Sequence, residues 1–219
     1  MFDLSVVWSY RADLLAGLWV TCWISLISIG IGFCIGATTC LARMSKNTLI
    51  SAITSFYISV FRGTPLLVQL GVIFFFLPML GVDIPPVLAA IISLSLNSGA
   101  FQSEILRGGF QTLPRGQVEA AWDIGLTNWQ CFYHIELVQV LRKTVPALVN
   151  EVVDIIKNSS LISTISVSEL MRVTQQYSST TYRPLEFFVA AGALYLLLTL
   201  SASTVGYWVE RRLSRHQES

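Results

Sequence analysis

The chain has 219 residues, 53% of them hydrophobic and only 12% charged, with a mean hydropathy of +0.64. A water-soluble domain carries about 25% charged residues, so this chain lacks the polar surface to cover itself in water. Its formal net charge of +1 excludes the strongly basic face that a nucleic-acid partner demands.

The N-terminal stretch MFDLSVVWSYRADLLAG places acids before the first apolar run and has no short basic segment, so a cleaved signal peptide is not expected. A helix crosses the ~30 Å hydrocarbon core in about 20 apolar residues. Four uncharged intervals have that length: Asp13 to Arg43, Arg62 to Asp83, Asp83 to Glu104, and Glu186 to Glu210. A fifth, Thr144 to about Thr164, is apolar but carries Glu151, Asp154 and Lys157. It is either a helix outside the membrane or another span, and charge decides. With five spans the termini lie on opposite sides. Arg43, Lys46, Arg62, Arg107, Arg115, Arg142, Lys143, Arg211, Arg212 and Arg215 then share one side, against Arg11, Arg172 and Arg183 on the other. That asymmetry marks a cytoplasmic face.

The sequence therefore predicts an all-α membrane protein of five transmembrane helices, one domain over residues 1–219. Spans are expected at 15–42, 63–82, 84–106, 144–164 and 185–209, with the N-terminus outside and the C-terminus cytoplasmic. Between the first two spans, Asn47 to Val60 has the moderate amphipathy of a helix lying along the interface. Pro65, Pro78, Pro85, Pro86 and Pro184 fall near span ends, where a missing N–H costs least. Cys22, Cys34, Cys40 and Cys131 form no CxxC or CxxH spacing. They read as small apolar packing residues, with no disulfide framework and no metal site.

Between the third and fourth spans runs a cytoplasmic loop, 107–143. Pro114 and Gly116 turn the chain, and Gln117 to Ile124 suits a short helix that Gly125 can stop in a left-handed conformation. Ala120 and Ala121 leave that helix low and smooth, open to close approach by another protein. Glu119 and Asp123, at i and i+4, give it an acidic edge, expected near the helix start where the dipole favours acids.

The run EAAWDIGLTNWQCFYHIEL resembles the EAA loop of bacterial ABC import permeases, whose pattern is EAA, three residues, then Gly. FRGTPLLVQ (61–69), SLNSGAFQSEILRGG (95–109) and YWVERRL (207–213) are similar to the polar amino acid uptake branch of that family. The resemblance covers nearly the whole chain after residue 15 and implies a type I importer permease fold. It also implies that Glu119, Ala120, Ala121, Asp123 and Gly125 belong to a coupling helix that docks in a cleft of an ATP-binding subunit. The implied partners are a dimer of those subunits, a second permease chain (a copy or a sister), an extracytoplasmic solute-binding protein, an amino-acid substrate and the lipid bilayer. Two departures stand out. Leu137-Val138 replaces a usual Leu-Pro pair, and Asn158 replaces a frequent aspartate, which disfavours a strongly cationic substrate.

Candidate path residues follow from polarity inside the spans. Asn97, Phe101 and Glu104 recur at i, i+4 and i+7 on one face of the third span, with Ser98 beside them. Intramembrane charges face a partner or a wet cavity. Glu104 is either the partner of Arg107 or a seat for a substrate ammonium. On the fourth span Glu151, Asp154 and Lys157 precede Asn158, Ser159 and Ser160. Asp154 and Lys157 either pair with each other or line a route for a zwitterion together with Asn158 and Ser159.

No GxxxxGK[ST] occurs, so ATP hydrolysis is assigned to another subunit and no cofactor is expected. His134 and His216 are the only histidines, HExxH is absent, and no span pairs a serine with a histidine. An intramembrane enzyme is thereby disfavoured. The remaining alternatives are a stand-alone channel or secondary carrier, and the half of a heterodimeric permease that does not hold substrate.

Overall fold

Proline and glycine punctuate a succession of helices. The computed structural model describes residues 5–214, so Arg215 and His216 lie outside the described residues. The order is α1 (Ser5–Ser9), α2 (Arg11–Arg43), α3 (Thr48–Gly63), α4 (Leu66–Gly71), α5 (Leu77–Met79), α6 (Pro86–Gln111), α7 (Arg115–Asp123), α8 (Asn128–Cys131), α9 (Leu137–Asn158), α10 (Leu170–Thr181) and α11 (Pro184–Ser214). A π-helical turn at Val72–Phe76 joins α4 to α5, a second at Phe132–Glu136 joins α8 to α9, and a 3-10 turn at Ser159–Ile165 extends α9. Among the described residues two helices, Arg11–Arg43 and Pro184–Leu213, are long and apolar enough to cross a membrane unaided. The pair Thr48–Gly63 and Leu66–Met79 qualifies only together, and it is bent by 108°.

That bend has a local cause. In a helix the Phe61 carbonyl would accept from the N–H four residues on, but Pro65 has none. The freed carbonyl instead accepts from Gln69 Nε2 at 2.9 Å and Asn97 Nδ2 at 3.1 Å. Gln69 Nε2 also donates to the Thr64 carbonyl at 3.0 Å, and its own Oε1 accepts from Asn97 at 3.1 Å. In hydrocarbon an unpaired carbonyl costs several kcal/mol, so these two amides let the chain turn inside the protein.

Helix α2 packs most extensively on α6, through a seam of small residues. Gly32 packs on Ser98, and Gly36 on Gly99 and Ser103, all of them buried. A Cβ on Gly36 would come within 2.9 Å of Gln102 Cβ and 3.0 Å of the Gly99 carbonyl. Close backbone approach of this kind gathers van der Waals contact where lipid offers no hydrophobic driving force. The main core, with Ile24, Leu70, Leu94, Ile155 and Ile162, lies between α2, α4, α6, α9 and the 3-10 turn. Cys40 and Cys131 are buried and Cys22 is half-buried, whereas Cys34 faces outward; all four are free thiols.

At the end opposite α7, a carboxylate that the sequence reading did not single out gathers three helices. Glu169 is fully buried and caps α10, accepting from the N–H groups of Met171 at 2.8 Å and Arg172 at 2.7 Å. The hydroxyls of Tyr195 on α11 and Thr21 on α2 also donate to it, at 2.8 and 3.4 Å. Nearby, Tyr177 donates to Asp13 Oδ2 at 2.6 Å, and that hydrogen bond pushes the Tyr177 hydroxyl above its ordinary pKa.

Candidate functional site

Pro114 sets the entry to α7, and the helix starts at Arg115 rather than Gln117. The earlier start corrects the charge argument: Glu119 lies mid-helix and Asp123 is the last residue, so neither occupies the first turn. Gly125 takes a φ of +86°. Its N–H donates to the Trp122 carbonyl at 2.9 Å, and Leu126 N–H donates to the Ala121 carbonyl at 3.0 Å. This is the Schellman arrangement, which only a residue tolerant of the left-handed region closes without strain.

Glu119, Ala120 and Asp123 are exposed, and Trp122 and Ile124 are 50% and 78% exposed. Ala121 is only 3% exposed. It packs against its own chain, so it does not contribute to a smooth outer surface as the sequence suggested. The segment is tied to its neighbours at several points. Gln139 Nε2 donates to Gln117 Oε1 at 2.7 Å, and Lys143 Nζ donates to the Thr112 carbonyl at 3.1 Å. Phe110 at the end of α6 stacks on Phe132 with centroids 5.9 Å apart. Val138, unlike proline, keeps its N–H, and the helical run from Asn128 continues through it to Asn158.

The path candidates do not form one cluster. Asn97 is committed to the Phe61 carbonyl and Gln69, as described above. Ser98 is buried, accepts from Gln102 Nε2 at 2.8 Å and faces Glu151 of α9. Arg107 grips Glu104 with two bonds, Nε to Oε1 at 2.8 Å and Nη2 to Oε2 at 2.7 Å. Arg62 approaches Glu104 Oε2 at 3.7 Å while lying over the Phe101 ring at 5.2 Å. On α9, Glu151 is buried, whereas Asp154 and Lys157 pair at 2.6 Å on an outer face. Three-residue steps drift by about 60° around a helix, which is why these three charges do not share a stripe. Asn158 is half-buried, and Ser159 is fully buried, donating to the Ile156 carbonyl at 2.7 Å. Sequence reasoning missed Arg62 as a partner of Glu104 and Gln69 as a partner of Asn97. Both sit in the motif FRGTPLLVQ, and Pro65, which strands a carbonyl, was the signal for Gln69.

The model of the family described as "Binding-protein-dependent transport system inner membrane component" matches residues 28–215. The chain belongs to that family. It is thus an inner-membrane permease subunit of an ABC importer, a transport component rather than an enzyme, and ATP hydrolysis lies in a separate subunit. The permease is 37% identical to the L-cystine transport system permease protein TcyB of Bacillus subtilis (strain 168), over 95% of this chain and 89% of the relative. It is 38% identical to the arginine transport system permease protein ArtQ of the same strain, over 91% and 92%. A crystal structure of an amino acid ABC transporter with histidines shares its fold at a TM-score of 0.91 and 34% identity, covering 97% of this chain and 99% of that one. The permease accordingly has the type I importer permease fold.

Proposed function

We propose that this permease forms the translocation path for a polar amino acid and that α7 is the handle through which the ATP-binding subunits drive it. The relatives named for cystine and arginine share the α-amino acid group and differ in side chain, which supports the class and leaves the side chain open. In this reading the chain is one domain of five spans: α2, α4 with α5 after an interfacial α3, α6, α9 with its 3-10 turn, and α11. The N-terminus lies outside, and α7 and the C-terminus are cytoplasmic. Its partners are a second permease chain, two ATP-binding subunits and an extracytoplasmic solute-binding protein. Along the path, Ser98 of α6 and Asp154, Asn158 and Ser159 of α9 are the polar groups nearest a passing zwitterion; Phe101 adds an apolar ring, Glu104 lines the path while held by Arg107, and Asn97 holds the bend beside them.

The observation that carries this reading is the exposed short helix closed by Gly125 and braced to α6 and α9. A rigid projection of that kind transmits a partner's motion to the spans; a floppy loop would absorb it. The test uses Ala120→Arg and Gly125→Val in the complex reconstituted with its ATP-binding subunits and binding protein. Both variants are expected to assemble in the membrane and lose most substrate-stimulated ATPase activity and uptake. Coupled transport at the wild-type rate in both would refute the handle. Stimulation of the wild-type complex by a panel of amino acids identifies the substrate.

A further inference from the structure

We infer that a groove between α2, α9 and α11 holds one acyl chain of an anionic phospholipid of the cytoplasmic leaflet, with Arg142 and Arg212 at its headgroup. The inference rests on the five-span reading, which makes α9 and α11 antiparallel and puts both arginines at the inner surface. The groove encloses about 510 Å³ between Leu26 and Ile29, Val149 and Val152, and Ala202 and Val205. Val149 seats against Gly206, where any Cβ would collide with it, so α9 and α11 touch along one side of the groove. From Val145 to Ile156 on α9, and from Leu198 to Val209 on α11, the lining runs about 16 Å at 1.5 Å per residue. That is one leaflet's share of a ~30 Å hydrocarbon core.

The polar end is charged to match. Arg142 stands one turn before Val145 and Arg212 one turn after Val209, spacings that keep both on the groove's side of their helices. Glu210, one turn after Gly206, edges the same side, so the two arginines stand there against one carboxylate and the polar end keeps a net positive charge. Tyr207 and Trp208 are exposed here, and Arg212 lies over the Trp208 ring at 3.9 Å, as aromatic side chains do at headgroup level. Basic residues beside spanning helices attract anionic lipid. A second copy of the chain, packed on this face about a two-fold axis, would bring the same cations together.

The experiment places the complex in nanodiscs of equal phosphatidylcholine and phosphatidylglycerol, extracts it into a neutral detergent and counts retained lipids by native mass spectrometry. Wild type is expected to retain phosphatidylglycerol several-fold over phosphatidylcholine. Arg142→Gln combined with Arg212→Gln should bring the ratio to parity, and Ala202→Phe, which fills the groove, should remove the lipid. Equal retention of the two lipids by wild type, or an unchanged ratio in the double variant, overturns the assignment. So does a permease–permease disulfide formed by Ala202→Cys, which would show a second copy in the groove. Nanodiscs present both leaflets alike, so this result is independent of orientation; an error in orientation shows instead as labelling of Ile124→Cys from outside intact cells.

Discussion

Glu104 illustrates how a polar residue inside a membrane protein can be legible while its role is not. Its position on α6 marks it as needing a partner, and two readings satisfied that need equally well from sequence. The structure gives both of its oxygens to Arg107 and brings Arg62 within 3.7 Å. The trio carries a net positive charge, which is poor company for a substrate ammonium. Glu104→Gln is therefore expected to destabilise the permease by about 1.5–3 kcal/mol, the range for hydrogen bonds to charged groups. It should leave the order of preference among amino acids unchanged. Thermal unfolding in detergent and uptake across a panel check both halves, and a reordered panel at wild-type stability would place Glu104 in contact with substrate. Asn97 shows the same limit of sequence reading. Its polarity was visible, but its acceptor is a carbonyl 36 residues away, stranded by a proline.

At the scale of elements, local chemistry was the readable part. Pro114 and Gly125 bracketed α7 to within two residues, because turn and cap residues act on their immediate neighbours. The break between α3 and α4 was readable too, because Asn47 to Val60 and the span from 63 are expected as separate helices with Pro65 near the span's end. What was not readable is that Gln69 and Asn97, distant in sequence from the stranded Phe61 carbonyl, satisfy the backbone opened at the 108° bend. Likewise the burial of Glu169 depends on Thr21 and Tyr195, which meet it only in the folded chain. The α2–α6 seam yields an element-scale prediction. Gly36→Leu pushes a side chain into Gln102 and the Gly99 carbonyl, whose positions are fixed by the helix behind them. Overpacking of this sort costs about 1–3 kcal/mol, so a lowered melting temperature is expected. Gly30→Leu serves as the control, since a Cβ there meets nothing within 4 Å. Equal melting temperatures for the two variants would mean the helices are not held at this distance.

The two ends of the whole molecule are built differently, and the five-span reading turns that difference into a measurable arrangement. One end gathers α2, α10 and α11 around Glu169, with Asp13 bonded to Tyr177. The other carries α7 and most of the cations. If one end is outside and the other cytoplasmic, exposed positions at each must differ in reach from the external medium. Tyr182, 90% exposed between α10 and α11, and Ile124, 78% exposed beside α7, are suitable reporters. In a background with the four native cysteines replaced by alanine, Tyr182→Cys is expected to react in intact cells with a membrane-impermeant maleimide. Ile124→Cys is expected to react only after the membrane is opened. An even number of crossings between the two positions would label both from the same side. Because α9 with its 3-10 turn is the one continuous helical run between them before α10, that outcome would remove it from the membrane and return the acids at 151 and 154 to an aqueous helix.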